Sequence, residues 1–295
     1  MLDILKVVKA KAIIQICLII NVTEEKIKVT STANALNSYK EMKYGAIQTN
    51  MWNCGSIKGE VSIELFKNEM LTEINLVDAS IKQRTIFGYP EIALGLNLMG
   101  QHFNENAVKT LEFPMKLSDL MSKDVKMTSE FQIEKVARED IPFNISYDFW
   151  IKNDPLINEV PDKEDCEIMI WLYHSKQHPI GIVVDRIDLE CNLNGKKAQI
   201  PVDIWKGRGA RWLTISLLFD RKLVPSNAEI SFELRDVFRI AQSFMENQEL
   251  GQFLMGVELG TEFGDPDSRE TSLAWKLKKY IIETEGKVYN ILGQD

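Results

Sequence analysis

From about residue 44 onward the chain is written as short apolar runs separated by clusters of Gly, Pro, Asn and Asp. Val61-Ser62-Ile63-Glu64-Leu65-Phe66, Glu167-Ile168-Met169-Ile170-Trp171-Leu172 and Trp212-Leu213-Thr214-Ile215-Ser216-Leu217-Leu218-Phe219 have strand lengths and carry turn residues between them. Such segments bury their apolar faces only by pairing into sheets and stacking the sheets. The expected fold is therefore all-β, a sandwich or jelly roll, and 295 residues suffice for one large domain of that kind. One segment has another period. Val237, Phe238, Ile240, Ala241, Phe244 and Met245 share a face at helical spacing, Asp236 sits near the start and Gly251 follows the end. This predicts one amphipathic helix over about 235–247, packed outside a large sheet. Over 113–140, Phe113-Pro114 opens a stretch in which Leu117, Leu120 and Met121 fit a helical turn and strand pairing fits as well. Leu273-Ala274-Trp275-Lys276-Leu277-Lys278 alternates and reads as a strand.

Residues 1–35 read as a signal peptide or an N-terminal extension, and 36–295 as a single catalytic domain. Lys6, Lys9 and Lys11 precede an apolar run over 12–20 that is too short for a membrane-spanning helix but suits a signal-peptide core. Ala33-Asn34-Ala35 has the small-x-small form of a cleavage site, although Glu24-Glu25-Lys26 intervenes. The reading is an extracellular or cell-surface protein; the alternative is a buried first strand and a cytoplasmic protein. No other segment is long and apolar enough to span a membrane.

The net charge of −8, without a basic stripe, argues against nucleic acid as a partner. The four cysteines, Cys17, Cys54, Cys166 and Cys191, form no C-x-x-C pair. His174 and His178 flank a segment that reads as a loop, and a zinc site would need further ligands. No metal or cofactor is expected, and the chain is expected to be a monomer.

Three strands carry the chemistry. Alternation along 166–172 puts Ile168, Ile170 and Leu172 on a core face and Glu167, Met169 and Trp171 on the other. A carboxylate between a thioether and an indole suits a sugar cleft, where the indole can stack on a pyranose ring; a half-buried strand with one exposed Glu is the plainer reading. Along 253–263, Glu258, Gly260 and Glu262 share a face, and the glycine would let a ligand approach the backbone. Along 144–150, Ser146, Asp148 and Trp150 share a face, from which Asp148 could hydrogen-bond a neighbouring carboxyl. Two carboxyls on opposite walls of a cleft are the minimum apparatus of glycoside hydrolysis. Trp205 and Trp212 flank a hairpin at Lys206-Gly207-Arg208-Gly209-Ala210-Arg211, and each fits either a cleft wall or an edge of the core.

Five segments in order resemble glycoside hydrolase family 12: Asn50-Met51-Trp52; Tyr89-Pro90-Glu91-Ile92 with Gly95; Asp148; Glu167 to Leu172 followed by Pro179-Ile180-Gly181; and Gly260-Thr261-Glu262-Phe263-Gly264. They span roughly residues 44–285. The resemblance implies two curved antiparallel sheets around a concave cleft with one helix, and a retaining endo-acting β-1,4-glucan hydrolase. It implies Glu167 as nucleophile, Glu262 as general acid/base, Asp148 as the hydrogen-bonding partner of the nucleophile, and Met169 beside it. Asn50 and Trp52 would bind glucosyl units on the non-reducing side, and Pro179–Gly181 would belong to a loop crossing the cleft. Two residues depart from the pattern. Glu258 stands where a neutral residue is usual, and either raises a neighbour's pKa or is a distant surface Glu. Cys166 adjoins the nucleophile and should point into the core. A non-catalytic carbohydrate-binding jelly roll and a glucan transglycosylase are the alternatives.

Overall fold

The computed structural model describes residues 26–83, 86–97, 111–155, 160–209, 211–245, 253–264, 267 and 269–293. Its strands run β1 (Ile27–Ser31), β2 (Tyr39–Glu41), β3 (Ala46–Gln48), β4 (Cys54–Phe66), β5 (Glu69–Ile81), β6 (Glu91–Gly95) and β7 (Met115–Lys116). After helix α1 (Leu117–Ser122) come β8 (Val125–Val136), β9 (Phe143–Lys152), β10 (Cys166–Ser175), β11 (Ile182–Leu193), β12 (Lys196–Arg208), β13 (Leu213–Phe219) and β14 (Asn227–Glu233). Helix α2 (Leu234–Ser243) precedes β15 (Phe253–Gly260), β16 (Thr271–Thr284) and β17 (Lys287–Asn290).

The pairings form two layers of a jelly roll. One runs β1-β4-β5-β16-β8-β14. The other runs β2-β3-β6-β15-β9-β10-β13-β12-β11. They join where Asn192 and Leu193 of β11 pair with Ser231 and Ile230 of β14. All these pairs are antiparallel except β10 with β13.

Strand β9 shows how sequence becomes layer. Ile145, Tyr147, Phe149 and Ile151 alternate onto the core face and are fully buried. Tyr147 meets Phe232 of β14 and Tyr280 of β16, each at 5.7 Å between ring centroids. Phe149 meets Phe238 of α2 at 5.6 Å, edge to face. Burying such a side chain contributes about 1.5–3 kcal/mol. The opposite face of β9, with Asn144, Ser146, Asp148 and Trp150, is buried too. A central strand whose second face is polar and still shielded marks the place where a site can be built.

Helix α2 lies where the period placed it and buries Val237, Phe238 and Ala241. It ends at Ser243, with Phe244 turning out of the helix, rather than running on through Met245; residues 246–247 and Gly251 lie outside the described residues. The 113–140 stretch resolves into both of its readings, helix α1 followed by strand β8. At the N-terminus the fold begins before residue 36. β1 pairs with β4 from Ile27 to Ser31, and Ala33-Asn34-Ala35 lies in a turn in which Thr32 and Ala35 exchange backbone bonds of 2.9 and 3.1 Å. The apolar run over 12–20 lies outside the described residues. No described helix is long and apolar enough to cross a membrane.

Candidate active site

Sheet register brings the acids together. On β9, Asp148 is opposite Met169 of β10 on one side and Glu258 of β15 on the other. Trp150 of β9 is opposite Glu167 of β10, whose other neighbour is Thr214 of β13. Glu91 of β6 is opposite Gly260 of β15. Side chains that share a face of paired strands are neighbours, so Glu91, Glu258, Asp148 and Glu167 form a row across the cleft floor.

Glu262 joins this row from beyond the end of β15. The strand stops at Gly260, and Glu262 is held by Asn144 of β9 rather than by a ladder. Its backbone N–H donates to Asn144 Oδ1 at 2.8 Å, and Asn144 N–H donates back to the Glu262 carbonyl at 3.0 Å. Its carboxylate oxygen Oε2 accepts from Asn144 Nδ2 at 2.5 Å and from Gln177 Nε2 at 2.9 Å. Glu167 is fixed equally well: its Oε2 accepts from Trp212 Nε1 and from Thr214 Oγ1, each at 2.9 Å. Trp212 in turn packs edge-on against Trp150 at 5.4 Å. Both glutamates are half-buried.

Burial raises each of these carboxyls, and their partners decide how far. Burial, then the charges of Glu167 and Glu258, push the Asp148 carboxyl well above its usual range. Asp148 Oδ1 has no N–H or hydroxyl donor, and this carboxyl faces Glu167; the neutral acid therefore donates to the Glu167 carboxylate. Burial raises Glu167 as well, and the bonds from Trp212, Thr214 and Asp148 oppose that rise. Glu262 is pushed up to about 8 by burial first and by the charge of Glu167 second, against the bonds from Asn144 and Gln177. Glu167 thus has three donors that favour its charged form, beside a Glu262 carboxyl that burial and the Glu167 charge hold toward its protonated form. This is the division that acid and nucleophile require.

Met169 lies in this face, 5% exposed. Trp171 corrects its expected role: at 1% exposure, packed against Met169, Leu218 and Trp205, it has no ring face left for a sugar. Its indole N–H faces Met169 Sδ at 3.5 Å. The aromatic nearer the cleft there is the half-buried Trp205, with His178 stacked on it at 5.8 Å. Pro179 is buried in the loop 176–181 between β10 and β11, the same loop that carries Gln177 to Glu262. Gly181 closes that loop at φ +101°, where a Cβ would lie 2.1 Å from the Lys206 carbonyl oxygen. Asn50 and Trp52 lie in a turn between β3 and β4, not in a strand, with Asn50 at φ +39°. The Asn50 amide is committed to Glu91 Oε1 at 2.8 Å, while Trp52 is 44% exposed and free to meet a ligand.

Gly260 does make room, but for the protein: a Cβ there would meet the Pro90 carbonyl oxygen at 2.5 Å and Glu91 Cβ at 2.7 Å. Glu258 is 5% exposed, which removes the reading of a distant surface Glu. Cys166 points into the core. His174 packs beside Trp171 and lies within reach of the charge of His178, and among the described residues no group of three His, Cys, Asp or Glu could hold a metal.

Alternation alone did not pick out Asn144, Gln177, Thr214 and Glu91, and it left Trp212 between a cleft wall and an edge of the core. Two had a signal: Asn144 and Thr214 are polar positions on strands otherwise apolar enough to be buried, and buried polar groups need partners. Trp212→Phe tests the cradle around Glu167. It removes a donor that favours the charged form, so the Glu167 pKa rises and the acid limb of kcat/KM moves to higher pH. The rate on the plateau falls roughly 5- to 30-fold. A profile with an unmoved acid limb would detach Trp212 from the reacting group.

A model of glycosyl hydrolase family 12 matches residues 43–285. Among solved structures, a family 12 xyloglucanase from Bacillus licheniformis superposes with a TM-score of 0.62 at 18% identity, over 88% of this chain and 100% of that one. An endoglucanase from Rhodothermus marinus gives 0.58 at 15%, over 90% and 96%. Endoglucanase 3 of Trichoderma harzianum gives 0.61 at 12%, over 90% and 99%. At these identities the structures establish a shared fold. No curated protein sequence matches the chain.

Proposed function

Because the chain belongs to glycosyl hydrolase family 12, and so is a glycoside hydrolase, we propose that it cuts β-1,4-glucosidic bonds within β-glucan chains with retention of configuration. The supporting observation is the pair Glu167 and Glu262, two half-buried carboxyls with separate donor sets, Trp212 and Thr214 on Glu167, Asn144 and Gln177 on Glu262, the latter pushed up to about 8. Glu167 attacks the anomeric carbon while Glu262 gives its proton to the departing glucosyl oxygen. The C–O bond to the leaving sugar breaks as the Glu167–carbon bond forms. Glu262, now ionised, takes a proton from water, and the hydroxide attacks the anomeric carbon from the face the leaving sugar vacated, opposite Glu167, which it displaces, so both groups return to their starting states. Asp148, as a neutral donor to Glu167, holds the nucleophile's orientation through both steps.

The solved relatives described as a xyloglucanase and as endoglucanases support a glucan as substrate. A polymer of that kind is met outside the cell, which suits the Lys-flanked apolar run of residues 12–20. Cleavage that spares β1 then falls before Ile27 rather than after Ala35. Assays of viscosity and of new reducing ends on carboxymethyl cellulose, mixed-linkage glucan and xyloglucan test the reading. Viscosity should collapse well before reducing ends accumulate. Binding without cleavage of any of the three would contradict it.

A further inference from the structure

Beside the two reacting acids, the cleft floor holds a second acid pair that this mechanism does not use. Glu91 is 0% exposed on β6 and Glu258 is 5% exposed on β15. The register pairs Glu91 with Gly260 and Ala93 with Glu258, so the two side chains are diagonal neighbours on one face. Gly260 supplies the space: its missing side chain is where Glu91 Cβ comes within 2.7 Å.

Glu91 Oε1 accepts from Gln48 Nε2 at 2.5 Å and from Asn50 Nδ2 at 2.8 Å, whereas its Oε2 has no N–H or hydroxyl donor. What this carboxyl faces is Glu258. Around the pair stand Gln48 from β3, Asn50 from the following turn, Tyr89 just before β6, Asp148 and Trp150 from β9, and Glu167 from β10. Two ionised carboxylates in contact, away from water and among such groups, repel strongly. A neutral Glu91 satisfies every atom. Its carbonyl oxygen takes both amide donors and its O–H donates to Glu258, which also faces the indole N–H of Trp150, a group with no other acceptor.

We propose that Glu91 and Glu258 share a single proton and serve as a positioning pair for the reaction. Through Asn50, the neutral Glu91 holds the left-handed turn that presents Trp52 to the glucan. Through its position opposite Asp148, the Glu258 carboxylate keeps the Asp148 proton in place for the bond to Glu167. What the pair positions rests on the glucanase reading above; the shared proton does not.

The test separates a neutral acid from a carboxylate. In Glu91→Gln the amide oxygen can accept from Gln48 and Asn50 and the amide N–H can donate to Glu258, mimicking the acid. In Glu91→Leu all three bonds go. Glu91→Gln should stay within about threefold of wild type in KM and kcat, whereas Glu91→Leu should raise KM for soluble glucan roughly tenfold or more. Equal losses in both variants would overturn the proposal. If Glu91→Leu does not fold, carbon-13 NMR of the glutamate carboxyls in the full chain decides, with the Glu91 resonance assigned by its absence in Glu91→Gln. That resonance should keep the shift of a protonated acid at neutral pH; titration near the ordinary value of about 4.3 would overturn the proposal. The NMR needs no substrate. If glucan assays fail while the resonance stays protonated, the acid pair stands and the substrate reading falls.

Discussion

Glu167→Gln is expected to lower glucan hydrolysis on the order of 10⁴-fold or more while leaving the fold intact and glucan binding measurable. The amide is nearly isosteric, and its oxygen can accept the bonds from Trp212 and Thr214 that now end on Oε2. What disappears is the proposed nucleophile. Stability should move in the opposite direction from activity. Burial raises the Glu167 pKa in the folded state, so its neutral form favours folding. That stability is fully present below the unfolded value of about 4.3 and is lost as pH rises through the folded one. Gln never ionises and escapes the loss. Melting temperatures of variant and wild type should therefore agree near the acid end, and the variant should gain as pH rises. Reducing-end assays, calorimetric glucan binding and a Tm–pH series check the three parts. Full turnover in the variant would remove Glu167 from the mechanism.

The second large effect belongs to Glu262. Glu262→Gln should slow cleavage of natural glucans roughly 10²–10⁴-fold, yet spare the first step on an aryl cellobioside whose leaving group needs no proton. The pH profile gives an independent reading. An acid catalyst works only while protonated, and the Glu262 pKa is pushed up to about 8 by burial and by the Glu167 charge. Wild-type kcat/KM should therefore fall as pH rises through that region, and the fall should vanish in the variant. Asn144 and Gln177 stabilise the ionised form, so removing the Gln177 amide would carry the limb further upward. A basic limb that persists in Glu262→Gln would hand the role to another acid, with Glu258, pushed up to about 7, the first alternative.

Much of the architecture was legible because period-2 and period-3.6 patterns report burial directly. Strands β9, β10, β13 and β16 and helix α2 all fall on segments picked out by alternation or helical spacing. The alternation of 166–172 also placed Glu167 and Met169 on the cleft face. Trp171 shows where that reasoning ends: a face assignment does not say what lies on top, and Trp205 and Leu218 cover its ring. Gly260 shows the same limit, because a missing side chain marks a close approach without naming what approaches. The roles of Asn144, Gln177, Trp212 and Glu91 were hidden for a further reason. Their partners lie between 41 and 118 residues away in the chain, and register set by distant pairings is not written in any local window. Glu258 could be placed on the right face from sequence, but its burial against Glu91 required the β6–β15 pairing.

Under the proposed mechanism Glu167 forms a covalent bond to the sugar. Incubating the protein with a 2-deoxy-2-fluoro cellobioside bearing an activated leaving group, then digesting it and sequencing the labelled peptide by mass spectrometry, reads that bond directly. The glycosyl adduct should sit on Glu167, and the anomer first released from natural substrate should be β. An adduct on Glu262, Asp148 or Glu258, or no adduct together with an α product, would remove Glu167 from that role.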